Sequence, residues 1–423
     1  MTLLRLAGDR TFASLRHHRN YRLFFGGQLA SLCGTWMQNV ALYWLILSLT
    51  HSAVAVGLLS LARFGPFTVL GLFAGVVADR FDNRRTVIVT QTVQMVFSAV
   101  LAAVTLLGNV QPWQVYTIAT LTGIAVVFDV PVRQNLTLQL VGRDELPNAI
   151  ALNSSLFNAA RILGPALAGV VLAAAGAGWC FAINSVSFLA VLAGLLLMHA
   201  DELFPLANRV RPTLVKGVGE ALSFVWRDRG LAVLVGLAVI ANSISFNVNV
   251  LLPLLAKVTL EAGPKTFGIV TACFGAGALA GALIAATVQR PRWRFVLASL
   301  AVFGVAELLI APLSSVALVG ALLFVCGICF TTYMAASNSL IQLGTPDHIR
   351  GRIISVFFYA FTAPLPLASP LLGWLCDVGG TELAFVVGGL LALAGAGLGT
   401  LAVRRAPPGS IRLRRPEAEA ATA

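Results

Sequence analysis

Arg63 and Arg161 are the residues best placed to do chemistry in this chain, because each stands inside a long run of apolar residues. A guanidinium is planar, always charged and carries five donors in a fixed fork. In an apolar setting it therefore seeks a carboxylate, phenolate or other electron-rich group. Short polar residues recur at helical spacing in the same kind of run. Gln28, Ser31, Thr35, Gln38 and Asn39 share one helical face, and Ser154 and Asn158 accompany Arg161. Asn242, Ser245 and Asn249 form a third stripe, Thr331 and Asn338 a fourth. Such stripes either line an aqueous path or hydrogen-bond neighbouring helices together. The runs hold no metal-ligand cluster and no nucleophile beside a base, so no catalytic residue, metal or cofactor is expected.

The elements that carry these residues are twelve apolar stretches, at 21–49, 53–77, 86–107, 113–134, 149–175 and 179–198, then 231–255, 267–288, 295–313, 316–340, 353–375 and 383–403. About 20 apolar residues are needed for a helix to cross the hydrocarbon, where an unpaired backbone group finds no partner. A mean hydropathy of +0.87 with few charged residues agrees. The predicted fold class is an all-α membrane protein of twelve transmembrane helices in two pseudo-symmetric six-helix bundles.

Alternate gaps hold nearly all the cations, from Arg5 to Arg22 at one end to Arg404 to Arg415 at the other, whereas the opposite gaps hold only Lys257 and Lys265. The positive-inside rule then puts both termini and the middle loop in the cytoplasm. The net charge of +12 reports topology and contact with the lipid bilayer, and its dispersal over short loops argues against nucleic acid as a partner. The apolar run after the basic N-terminus is longer than a signal-peptide core and is expected to remain as the first span. Cys326 and Cys329 form a CxxC inside an apolar helix, where small packing residues are expected rather than a redox pair.

The chain divides at 199–230, the one long hydrophilic stretch. Val218, Leu222 and Val225 recur there at helical spacing, as in a helix lying in the membrane interface. The expected layout is a first bundle over 1–198, the linker 199–230, a second bundle over 231–403 and a tail over 404–423. Asn135, Gln139, Leu140 and Asp144 find Asn338, Gln342, Leu343 and Asp347 at one constant offset, which points to internal duplication.

The second stretch ends Gly75-Val-Val-Ala-Asp79-Arg80-Phe-Asp82-Asn83-Arg84-Arg85, which resembles the loop signature of the major facilitator superfamily, with Asp82 and Asn83 departing from the commonest form. Arg161-Ile-Leu-Gly164-Pro165-Ala-Leu-Ala168-Gly169 is similar to the Gly-Pro motif of drug antiporters in that superfamily, with Ala168 in place of a glycine. Residues 128–169 resemble the branch of enterobactin exporters and macrolide or drug efflux proteins. The resemblance implies alternating access in a cell (plasma) membrane of bacterial type. Spans one, four, seven and ten would line a central cavity, and Gly75, Asp79, Arg80, Arg84, Asp129, Gly164, Pro165 and Gly169 would serve conformational change.

At about 1.5 Å per residue, Arg63 and Arg161 lie roughly 15 and 18 Å from the ends of their spans, near the midplane. The intramembrane acids are Asp129, near a span end, and Glu307 on the ninth span, neither at the depth of the two arginines in the first half. An uncompensated charge there costs at least about 2.5 kcal/mol. Water or backbone carbonyls can compensate it. So can a transported small-molecule substrate with an anionic or electron-rich group that meets both arginines. Asp129 is expected to pair with Arg80 or Arg84 in a latch, and Glu307 is either a proton site or a hydrogen-bonding group, with protons the candidate coupling ion. Trp36, Tyr43, Phe246 and Tyr359 suit a partly apolar ligand or packing between helices. The expected function is secondary export of small amphipathic molecules, with a lipid or lysolipid flippase or a non-transporting receptor as alternatives, and an enzyme disfavoured.

Overall fold

The computed structural model describes residues 12–205, 214–287 and 292–404; for Leu72, 75–79, 214–218, 347 and 348 it describes the backbone alone. The described residues are helical with short connections and contain no strand. The helices are α1 (Ala13–His17), α2 (Arg19–Thr50), α3 (Ala53–Arg80), α4 (Asn83–Leu106), α5 (Pro112–Ala175), α6 (Ala177–Leu196), α7 (Leu214–Arg227), α8 (Arg229–Ile240), α9 (Val248–Leu254), α10 (Pro264–Thr287), α11 (Trp293–Ile310), α12 (Val316–Gly344), α13 (Asp347–Thr362) and α14 (Pro364–Arg404).

Among the described residues ten segments are long and apolar enough to cross a membrane, and two are too long for one crossing: Pro112–Ala175 and Ile349–Arg404. Each is broken by a glycine with positive φ, Gly142 at 70° and Gly380 at 70°. Left-handed backbone is disfavoured for residues with a Cβ, so glycine is what lets the chain reverse there. Each of these segments supplies two crossings, which gives the twelve expected. The stretch 135–148, expected as a loop, is helical apart from Gly142.

The seventh span departs most from expectation. In place of one helix over 231–255 it runs through α8, a wide turn over Ala241–Ser245, α9 and a second wide turn over Leu255–Thr259. Phe246 and Leu260 N–H donate five residues back, to Ala241 and Leu255 carbonyls, each at 2.9 Å. Such π-type turns accommodate an extra residue and loosen the ladder.

The two departures from the loop signature have local reasons. Asp82 is the N-cap of α4, its Oδ1 accepting from Arg85 N–H at 2.8 Å, which satisfies a donor the helix start leaves open. Asn83 is buried and donates to Gln139 Oε1 at 2.8 Å. Asp228 caps α8 in the same way through Leu231 N–H.

Close contacts divide the described residues into two compact units. The first joins those up to 205 with Leu252–Ala272; the second joins 214–251 with those from 273 onward. In the first, α2 packs on α5 and α6, α3 on α5, and α4 on α5 and α6. Leu252–Ala272 seats on it through Lys257, whose Nζ donates to Leu47 carbonyl at 3.3 Å and Ser48 Oγ at 3.2 Å, and through Phe267 stacked on Trp44 with centroids 5.8 Å apart. Lys257 thus meets the carbonyl-rich end of α2, where a cation is favoured. In the second unit, α11 packs on α12 and α14, and α13 on α7 and α8.

Candidate functional site

Within the first unit a small polar cavity opens between α2, α3, α4, α5 and α6. Thr35, Gln38 and Asn39 of α2 line it with Arg63 of α3, Gln94 of α4, Thr122 of α5 and Asn184 of α6. It encloses about 30 Å³ available to water-sized occupants, room for a few molecules. Phe188, Ile118, Ala119, Leu42 and Val126 complete the wall.

Local packing fixes Arg63. Gly123 of α5 lies directly against its carbonyl group, and a Cβ at Gly123 would overlap that oxygen and stand 3.3 Å from Pro66 Cγ. A residue without a side chain lets the two backbones meet. The half-buried guanidinium lies 5.4 Å from the Phe64 ring centre and within electrostatic reach of the Tyr43 phenol. Neither neighbour is a carboxylate.

The amides are held by one another. Gln38 and Asn184 are 6% and 1% exposed. Gln38 Oε1 accepts from Asn184 Nδ2 at 2.7 Å and from Ser98 Oγ, which also faces Phe181 carbonyl. Asn184 Oδ1 accepts from Ser187 Oγ at 3.2 Å. Gln94 Nε2 donates to Thr90 carbonyl at 3.2 Å. Thr122 Oγ1 is buried without a hydrogen-bond partner among the described residues.

A family model for transmembrane secretion effectors of the major facilitator type matches residues 9–410. The chain belongs to the transmembrane secretion effector family. It is a multi-pass membrane protein of a transporter family. It is 26% identical to the staphyloferrin A transporter of Staphylococcus aureus, over 87% of this chain and 92% of the relative. It is 26% identical to the multidrug efflux pump Tap of Mycolicibacterium fortuitum, over 85% and 89%, and 21% identical to macrolide efflux protein A of Streptococcus pyogenes, over 90% and 96%. In fold it is similar to a crystal structure of a POT family transporter in complex with 5-aminolevulinic acid. The TM-score is 0.75 at 11% identity, covering 91% of this chain and 96% of that one.

In this secretion effector the remaining residues expected at a site disperse. Arg161 does not join Arg63 in the cavity; its guanidinium lies 5.9 Å from the ring centre of Trp36, whose own ring packs edge-on against Phe157. Gln28 and Ser31, both 4% exposed, lie outside the cavity lining. Ser154 is exposed, and Asn158 Nδ2 donates to the Ser154 carbonyl on its own helix.

The second-unit residues go chiefly to helix packing. Asn242 donates to the Phe361 carbonyl near the end of α13. Ser245 donates to Gly388 carbonyl at 2.7 Å. Asn249 is half-buried, and Thr331 Oγ1 and Asn338 Oδ1 are buried without partners among the described residues. Phe246 is a core residue, edge-on to Phe303, Phe330 and Tyr333, and Tyr43 is buried as well. Tyr359 is half-buried. Glu307, 1% exposed, lies against Gly388.

The expected latch takes another form. Asp129 pairs with Arg133 of the same helix and accepts from Thr90 Oγ1 at 2.6 Å and Gln91 Nε2 at 3.1 Å, rather than meeting Arg80 or Arg84. Arg84 instead caps the end of α6, donating to Leu195 and Leu196 carbonyls at 2.8 and 3.1 Å. Arg80 is exposed, and the side chain of Asp79, like position 75, lies outside the described residues. Gly164 packs on α2, where a Cβ would collide with Trp36, and Gly169 meets Gly268 with the Pro165 carbonyl beside it.

Gln94, Thr122 and Asn184 were missed by sequence reasoning. Gln91, Gln94 and Ser98 do recur at helical spacing on an otherwise apolar helix, a stripe of the same kind as that on α2.

Proposed function

We propose that this secretion effector is a secondary active exporter of small amphipathic molecules, including anionic ones, working by alternating access between the bundles 1–198 and 231–403. The observation that carries the reading is the polar cavity at mid-helix depth among apolar spans, lined by Thr35, Gln38, Asn39 and Arg63. Its relatives are named for a siderophore, drugs and macrolides, which supports export of compounds with mixed apolar and polar surface. The same reading puts the protein in the plasma membrane with both termini and the linker 199–230 cytoplasmic. Gly164, Pro165 and Gly169 serve conformational change.

Protons are the proposed coupling ion, with Glu307 as the buried acid. Voltage offers an independent drive, since moving a monoanion out of an inside-negative cell gains about 2.3 kcal/mol per 100 mV.

The test is intracellular accumulation of anionic, neutral and cationic amphiphiles in cells with and without the gene, followed by flux in liposomes with pH and voltage gradients imposed separately. Accumulation that does not change with the gene for any class of compound rejects the proposal. Flux that follows voltage alone removes the proton.

A further inference from the structure

We infer that the cavity bordered by Arg63, Gln38, Asn39 and Thr122 binds one small monoanionic group, supplied either by the acidic end of a transported molecule or by a free inorganic anion. The inference rests on the export reading only for the first of these sources.

Donors predominate on the wall, although Gln94, whose nitrogen is spent on the Thr90 carbonyl, leaves its oxygen there as an acceptor. Gln38 is 6% exposed and its oxygen is taken by Asn184 and Ser98, so its amide N–H groups are what remain for the cavity. Asn184 commits its nitrogen to Gln38, and the single Ser187 hydroxyl proton is shared between the Asn184 backbone carbonyl at 2.7 Å and its Oδ1 at 3.2 Å. Thr122 adds a buried hydroxyl without a partner among the described residues. Arg63 supplies a full positive charge, and no lining residue is acidic. Tyr43, within electrostatic reach of Arg63, brings a hydroxyl rather than a carboxylate.

Size narrows the ligand. About 30 Å³ admits a few waters, a carboxylate or a halide, and excludes the body of an amphiphile. The site is also pinned: Gly123 holds the Arg63 backbone against α5, and the Gln38–Asn184 bond ties α2 to α6. A guanidinium on an anchored backbone, beside amides held by one another, binds an anion with little reorganisation.

The experiment is a thermal-unfolding titration of the full chain in nanodiscs, in Tris sulfate buffer free of small monoanions, with chloride, benzoate and neutral benzamide as probes. Wild type should show a saturable rise in unfolding midpoint with chloride or benzoate and none with benzamide. Arg63→Gln should abolish it, Thr122→Val should weaken it several-fold, and Arg161→Gln should leave it in place. Arg63→Lys, which keeps the charge and loses the fork, should weaken benzoate more than chloride. This variant and Thr122→Val carry the test if Arg63→Gln does not fold. A response to chloride alone assigns a resident inorganic ion, a response to benzoate alone the acidic end of a substrate, and either supports the site. No saturable response in wild type, or an equal one in Arg63→Gln, overturns it. Efflux of anionic, neutral and cationic amphiphiles measured on the same variants separates the two proposals: export without anion binding retires the site alone, and anion binding without export of any class retires the export reading alone.

Discussion

Asp129 and Arg133 form an ion pair one turn apart on the same helix, with the carboxylate also taking the Thr90 hydroxyl and the Gln91 amide. The carboxylate side chain is 6% exposed and the arginine 24%. Removing one partner strands the other charge in a mostly dry place. Asp129→Ala should therefore lower stability by about 2–3 kcal/mol, somewhat less than a fully buried pair because Arg133 reaches solvent. Adding Arg133→Leu should recover part of the loss. A double-mutant cycle of thermal unfolding in detergent reads both; a single variant as stable as wild type would remove the pair from the account.

Gly123→Ala should destabilise by about 1–3 kcal/mol, because its Cβ would overlap the Arg63 carbonyl. Gly26→Ala has open space within 4 Å and should be neutral or slightly stabilising. The pair of unfolding midpoints checks the helix contact that sets the depth of Arg63.

Glu145 joins α1 to the rest of the first unit. Its carboxylate lies 2.6 Å from His17 Nδ1 and 3.5 Å from His18 Nε2, and Ser14 N–H donates to Asn148 at 3.1 Å. Burial pushes this carboxyl up, but hydrogen bonds from His17 and Ser14 and attraction to the two histidines outweigh it and hold it below its ordinary value. A depressed carboxyl contributes stability above its unfolded pKa and loses it as pH falls through the folded one. The docking of α1 should be intact at neutral pH and weaken only below the ordinary carboxylate range, about pH 4. Hydrogen exchange over Ala13–His17 should show that transition in wild type and lose it in Glu145→Gln.

Arg352 on α13 reaches Glu220 on the amphipathic helix α7. The carboxylate is 61% exposed, so the pair is worth at most about 1 kcal/mol. Charge reversal at either residue should raise exchange over Leu214–Arg227, and reversal at both should restore protection. Restoration that fails assigns the docking of α7 to its apolar face alone.

The spans were legible because crossing lipid demands a length of apolar chain that nothing else in a sequence imitates. The stripe on α2 was legible in part: Thr35, Gln38 and Asn39 do line the cavity, while Gln28 and Ser31 lie elsewhere. Helical spacing says which residues share a face and not which neighbour that face meets, so the meeting of Gln38 with Ser98 and Asn184 could not be read from one helix at a time. The same gap misdirected Asp129, whose partner is four residues away rather than across a loop. The wide turns of the seventh span leave no local signature, and Asn242 and Ser245 there donate to carbonyls. Phe246 follows the same course, being turned into an aromatic core.

Gly169 and Gly268 touch backbone to backbone, a Cβ on either one standing about 3 Å or less from the other's Cα. Neither position has a rotamer to freeze on contact or release on parting, so joining and separating these surfaces carries no side-chain entropy toll. The grip of this seam comes from how closely two bare chains fit and not from any interlocking teeth.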